Sequence, residues 1–228
     1  MTDRYARYGA ATGILFVVLV VITFATLPKP PSSDAPPAEV LTYFINHDSA
    51  LHVAQLLFAG TAFLFIWFIG TLRAALGASE GGQQRLSATA YGAGLVAAAV
   101  QIVSFSLLAT ATFHAADNGA DLTRALNDGA ALAPAVAAPA VTLFFLANSL
   151  VILRHGYLPS WLGWLGIVAA LFNALTIGAV FSDHGAFAPD GALGFFVGFL
   201  LFLAWILAAS ITLVRRLGEG EGARAAAA

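Results

Sequence analysis

Four of the five histidines, His47, His52, His114 and His184, stand close in the chain to aspartates. Asp48, His52 and Gln55 follow the spacing i, i+4, i+7, and Thr110, His114 and Asp117 repeat it, so each trio shares one face of any helix that carries it. Asp183 and His184 are adjacent. Imidazole and carboxylate together are the donor set of zinc and similar divalent ions, which take about four N or O ligands in an apolar surround. His52, His114, Asp48, Asp117, Asp183 and His184 are therefore the candidate metal or proton site, and a zinc-type ion is the one cofactor these residues suggest. Against that stands a simpler reading, in which polar side chains collect where helices meet water and each is separately solvated. The spacings HxxxH and HExxH, which set two imidazoles ready for one ion on a helix face, do not occur.

The elements that would position these residues are long and apolar. Of 228 residues, 60% are hydrophobic and 10% charged, with a mean hydropathy of +0.86, far above the roughly half-apolar mix of soluble domains. Six stretches stand out between the charges: 8–27, 51–72, 87–113, 130–153, 161–182 and 192–214. Each is near or above the roughly 20 residues that cross a bilayer core as a helix. They are continuously apolar rather than alternating, which excludes barrel strands. The expectation is an all-α integral membrane protein, a six-transmembrane-helix bundle with one membrane domain over 1–216 and a mobile cytoplasmic tail over 217–228. The first stretch exceeds the roughly 7–15 residues of a secretory signal core and reads as an uncleaved span.

Basic residues give the bundle a direction. With the N-terminus cytoplasmic, Arg4, Arg7, Arg73, Arg85, Arg154, Arg215, Arg216 and Arg224 fall inside, and Lys29 and Arg124 outside. Both termini are then cytoplasmic, and the histidine and aspartate cluster faces outward. The net charge of −2 and the absence of a long basic run argue against nucleic-acid binding. There is no cysteine, so disulfides, thiolate metal sites and CxxCH haem attachment are excluded.

Between the first two spans, residues 28–37 (PKPPSSDAPP) read as an extended external connector. AEVLTYFINHD follows, with Val40, Tyr43 and Phe44 at i, i+3, i+4, which predicts a short external helix at the membrane interface. Tyr43, Phe44, Tyr157, Trp161 and Trp164 are expected at headgroup level. At the turn RHGYLPSWLGW, Gly156 ends the fourth span and Ser160 is positioned to cap the fifth.

Polar side chains within spans are expensive, so Gln55, Gln101, Ser104, Asn148 and Asn173 invite explanation. The structural explanation is hydrogen bonding between helices, and the functional one is a lining for a transport path near helices broken by Pro134 and Pro139. Gly194 and Gly198 have the GxxxG spacing of close helix packing, which suits either the bundle interior or a homodimer face. GLVAAAVQ at 94–101 echoes GIVAALFN at 166–173, as a duplication of spans three and four into five and six would produce, though no longer period accompanies it. No Walker A motif is present.

The N-terminal span, the lead-in AEVLTYFINHD, a second span ending FIGTLRAAL and the turn GYLPSWLGWLG together resemble bacterial six-span membrane proteins grouped as domain of unknown function 4386. The resemblance runs from Tyr8 to Arg216. It implies six helices and a plasma-membrane location, and brings no activity or catalytic residues. Alkaline-ceramidase-type membrane hydrolases share the Ser, Asp and His ligand types but use an HxxxH that this sequence lacks. The favoured expectation is a non-enzymatic protein of the bacterial inner membrane that binds or transports a small or lipid-like ligand. The alternatives are a metal-dependent hydrolase built on the outward His and Asp residues, and an accessory subunit of a membrane complex. The lipid bilayer is the one partner the composition itself demands.

Overall fold

A computed structural model of the chain describes residues 3–113 and 115–226. Among them there is no strand, and six helical spans are long and apolar enough to cross a membrane. They form as helices because a chain in hydrocarbon must satisfy its backbone hydrogen bonds within each segment. The spans are α1 (Asp3–Thr26), α3 (Asp48–Glu80), α4 (Arg85–Thr112), α5 (Ala120–His155), α6 (Ser160–Leu175) and α7 (Val197–Ala226), and the short α2 (Pro37–Asn46) lies between the first two. A 3₁₀ segment, Thr176–Phe181, prolongs α6, and a π-helical turn, Ala192–Phe196, leads into α7.

Hydropathy marks the lipid-immersed stretch of a helix and not its ends. At about 1.5 Å per residue, the 33 residues of α3 and 36 of α5 reach roughly 50 Å, past a hydrocarbon core of roughly 30 Å. Thus α3 continues to Glu80, α5 begins at Ala120, and α7 runs on to Ala226 through the sequence expected to be a tail.

The spans close into a ring. Each packs on the next, from α1 to α3, α4, α5, α6 and α7, and α7 returns to α1. α5 also touches α3 across the interior, and half of its most apolar window is buried. The main core brings together Phe68 and Leu72 of α3, Phe144 and Phe145 of α5, and Trp205 and Ile206 of α7. The α1–α7 seam is close because Gly13 leaves room for Phe68 and Ser210, and the Ser210 hydroxyl donates to the Ala10 carbonyl.

Pro134 and Pro139 lie inside α5 without ending it. A proline lacks the N–H that would bond the carbonyl four residues back, which for Pro134 is Ala130. Ser104 of α4 supplies the missing donor, its Oγ lying 2.9 Å from the Ala130 oxygen. The broken backbone bond is thereby replaced by a bond between neighbouring spans.

The start of α1, the end of α7 and the α3–α4 and α5–α6 turns lie at one end of the bundle, the terminal face. At the α3–α4 turn, the Glu80 carboxylate accepts from the backbone N–H groups of Leu86 (2.8 Å) and Ser87 (2.9 Å) and caps α4. Gly156 ends α5 in the left-handed conformation, φ +66°. Ser160 makes no capping bond; Pro159 holds the cap position, its fixed φ suiting the turn, and Ser160 is the first residue of α6.

At the opposite, connector face, residues 28–37 and α2 form a cap with its own small core: Ala35, Val40 and Phe44 pack on Leu51 of α3 and Ala111 of α4. Phe44 is 1% exposed, so it is a core residue of this cap and not a headgroup anchor. Tyr43 donates to the Pro28 carbonyl at 3.1 Å, and its burial pushes the phenol pKa up. Arg124 of α5 donates to the carbonyls of Ala35 and Ser33. Ser33 Oγ in turn lies 2.8 Å from the Asp183 carbonyl and 2.9 Å from Asp190 Oδ1. The connector is thus tied both to α5 and to the loop between the last two spans.

Gly194 and Gly198 are spent on packing within the chain. A Cβ at Gly194 would strike the backbone carbonyls of Phe187 and Ala188, and one at Gly198 would crowd Thr176. That glycine pair is covered in the folded chain and is not a free face for a second copy.

Candidate functional site

Each span turns one helical face toward the ring's interior at the same depth. Those faces are Phe16, Val20 and Phe24 on α1; Phe58, Thr61 and Phe65 on α3; Ala97, Gln101 and Phe105 on α4; Pro134, Ala137 and Val141 on α5; Asn173 and Thr176 at the α6–3₁₀ junction; and Phe195, Phe199 and Phe202 entering α7. All six share spacings of three and four, the period of a helix face. Between them lies a cavity of about 170 Å³, lined by eight phenylalanines and by no ionisable residue.

Aromatic rings bound the cavity on two levels. Toward the connector face, Phe58 stacks on Phe105 with centroids 4.0 Å apart, Phe195 stacks on Phe199 at 4.9 Å, and Phe24 joins both pairs. Toward the terminal face, Phe16, Phe65 and Phe202 form a triangle with centroid distances of 5.4 to 6.1 Å. Phe144, Phe145 and Trp205 back that triangle. Along α3, Thr61 falls one turn from Phe58 on one side and Phe65 on the other, and along α4 Gln101 lies one turn from Phe105.

The polar groups are differently committed. Thr61 Oγ1 donates to the Phe58 carbonyl at 2.7 Å, and Thr176 Oγ1 to the Asn173 carbonyl at 2.7 Å. Asn173 Nδ2 donates to the carbonyls of Ala169 (2.9 Å) and Gly198 (3.1 Å), joining α6 to α7. Because both partners are acceptors, the amide nitrogen must face them, and the amide oxygen is left as an open acceptor. Gln101 is different: its amide makes no hydrogen bond with any described residue, although it lines the cavity. An amide has two donors and an acceptor, and leaving them unpaired in an apolar surround costs free energy.

The other residues singled out from the sequence lie elsewhere. Gln55 Nε2 donates to Thr112 Oγ1 at 2.8 Å, linking α3 to α4 beneath the connector cap. Asn148 is buried and donates to the Phe144 carbonyl of its own helix at 2.9 Å. His52 Nδ1 lies 3.3 Å from Asp48 Oδ1 on an exposed face of α3, and the exposed pair Asp183 and His184 is hydrogen-bonded side chain to side chain. That bond holds the Asp183 carboxyl below its ordinary pKa. Asp117 has a partner of its own, and His114 lies outside the described residues. Among the described residues, no group of three or more His, Asp or Glu side chains comes close enough to hold a metal ion. The pattern G-x-S-x-G does occur, at residues 77–81, but on the end of α3, where Ser79 Oγ donates to the Leu76 carbonyl at 2.8 Å. A nucleophile elbow needs a strand-to-helix turn, which this is not.

The cavity lining is what residue chemistry alone overlooks, since phenylalanines in a membrane span draw no attention. The signal available was the repeated face: Phe16, Val20 and Phe24 on one span, and Phe58, Thr61 and Phe65 on the next.

The whole bundle, from the middle of α1 to the middle of α7, matches a described family, Domain of unknown function (DUF4386), over residues 11–210. The chain belongs to the DUF4386 family. The match takes in every cavity-lining residue, so the cavity lies entirely within the DUF4386 region. No curated protein and no solved structure matches this DUF4386 chain.

Proposed function

We propose that this chain is a protein of the bacterial inner membrane, with both termini cytoplasmic, that binds or carries a small neutral, lipid-like ligand in the cavity at the centre of its ring. The observation that carries the reading is the Gln101 amide, without a hydrogen-bond partner among the described residues, in a mainly apolar cavity rich in phenylalanine. A polar group in hydrocarbon is expensive, and one without a protein partner leaves that cost for a ligand to offset. Ligand sites are characteristically apolar cavities with a few placed polar groups. Helices that lose regular α geometry beside such a site, as α6 does at Thr176 and α7 at Ala192–Phe196, recur where membrane proteins bind substrate and where packing must adjust. The absence of ionisable lining selects against charged ligands. In size, about 170 Å³ compares with the roughly 150 Å³ apolar cavity that admits benzene, enough for one ring or the end of a chain. The eight-to-two distribution of basic residues supports the orientation.

The test uses fluorobenzene and purified protein in detergent, read by fluorine NMR. Saturable binding above the linear partition into micelles is expected, and substituting Ala98, a buried residue of α4 that also lines the cavity, by leucine (Ala98→Leu) should fill the space and remove it. Partition alone, unchanged by that substitution, refutes a ligand cavity.

A further inference from the structure

Resting on the ligand cavity just proposed, we infer that its ligand is a neutral hydrocarbon bearing a hydroxyl group, and that Gln101 is the residue that recognises it. The cavity presents two kinds of open polar atom. Gln101 offers both N–H donors and its amide oxygen, none of them bonded to a described residue. Asn173 offers its amide oxygen, since its nitrogen is held by the Ala169 and Gly198 carbonyls. The lining therefore has donors and acceptors open together, and it carries no charge.

A hydroxyl is the smallest neutral group that answers both, accepting from an amide N–H through its oxygen and donating its own proton to an amide oxygen. A carbonyl or ether uses the donors alone and leaves the acceptors without a partner. A plain hydrocarbon uses neither, and the full cost of the unpaired amide persists in the complex. A carboxylate, phosphate or ammonium would enter without a counter-charge, which the lining excludes. The stacked pairs Phe58–Phe105 and Phe195–Phe199 on the connector-face level favour a flat or unsaturated body, offset or edge-on to their faces. The ligand class is thus a phenol-like or unsaturated alcohol, with its polar group at the depth of Gln101.

Fluorobenzene and 4-fluorophenol differ by one hydroxyl and are both neutral at pH 7. Their affinities, each corrected for micelle partition, form a ratio in which detergent effects cancel between proteins. In the wild type 4-fluorophenol is expected to bind about three- to tenfold tighter, the worth of one net hydrogen bond. In Gln101→Leu the ratio should fall to near one while fluorobenzene still binds. Protein labelled with ¹⁵N-glutamine gives a second readout, independent of any variant: the Gln101 side-chain signals should shift with 4-fluorophenol and not with fluorobenzene. Saturable fluorobenzene binding with no preference for the phenol, or a preference that survives Gln101→Leu, overturns the hydroxyl assignment and leaves the cavity reading standing. Absence of saturable binding by both probes overturns both.

Discussion

Ser104 of α4 donates a hydrogen bond to the Ala130 carbonyl of α5 at 2.9 Å, which is the carbonyl that Pro134, four residues on, leaves without a backbone donor. The two residues belong to one repair. Ser104→Ala should therefore cost about 1–3 kcal/mol, the penalty of a buried unpaired carbonyl. Combined with Pro134→Ala, which restores the helical N–H, the same change should cost much less. Unfolding of the four proteins in mixed micelles gives the coupling, and strict additivity would show that Ser104 acts elsewhere.

Gly166 and Ser149 make a second coupled pair. A Cβ at Gly166 would collide with Ser149 Oγ and crowd Trp205 Nε1, while that serine hydroxyl is buried with no hydrogen-bond partner among the described residues. Gly166→Ala should destabilise by about 1–3 kcal/mol through overpacking. Ser149→Ala should be nearly neutral, and should recover part of the loss in the double variant. Equal losses in the single and double variants would place the obstruction at Trp205.

The Asp183 and His184 pair predicts an acid dependence of a defined sign. The hydrogen bond from His184 holds the Asp183 pKa below its ordinary 3.8. Such a group contributes stability above the unfolded value and loses it as pH falls through the folded value. The Asp183→Asn protein should therefore lose less melting temperature than the wild type as pH falls from about 5 to about 3. Identical acid profiles would count against the bond.

Orientation is open to direct labelling because the chain has no cysteine. Single cysteines at the exposed positions Ser32, on the connector face, and Ala78, near the terminal face, should behave oppositely toward a membrane-impermeant maleimide. Ser32→Cys should react in intact cells, and Ala78→Cys only after lysis. The reverse pattern would invert the proposed topology.

Much of the architecture was legible in the residues. Six spans, helical and not stranded, follow from hydrocarbon's demand that each segment satisfy its own backbone, and Gly156 announced the end of α5 because a left-handed residue there favours glycine. Even the echo between 94–101 and 166–173 has a structural counterpart: Gly94 and Gly166 each pack against side chains of the preceding and following spans, and Gln101 and Asn173, seven residues on, both line the cavity. Why these two matching positions diverge in use, one amide bonded and the other without a partner among the described residues, is set by neighbours far away in the chain.

Those neighbours are the part that only the tertiary structure decided. Midspan amides look alike in a sequence, because polarity and depth are local properties and hydrogen-bond partners are not. Folding gives Asn148 a carbonyl on its own helix, Asn173 one on α7, Gln55 a threonine on α4, and Gln101 no partner among the described residues. The same closure of the ring gathers phenylalanines from α1, α3, α4 and α7 into the wall of one cavity, and it leaves the exposed pairs Asp48–His52 and Asp183–His184 each satisfied within its own segment. Composition determined that this chain enters a membrane; helix packing, which depends on contacts between distant residues, determined where inside it a cavity lies.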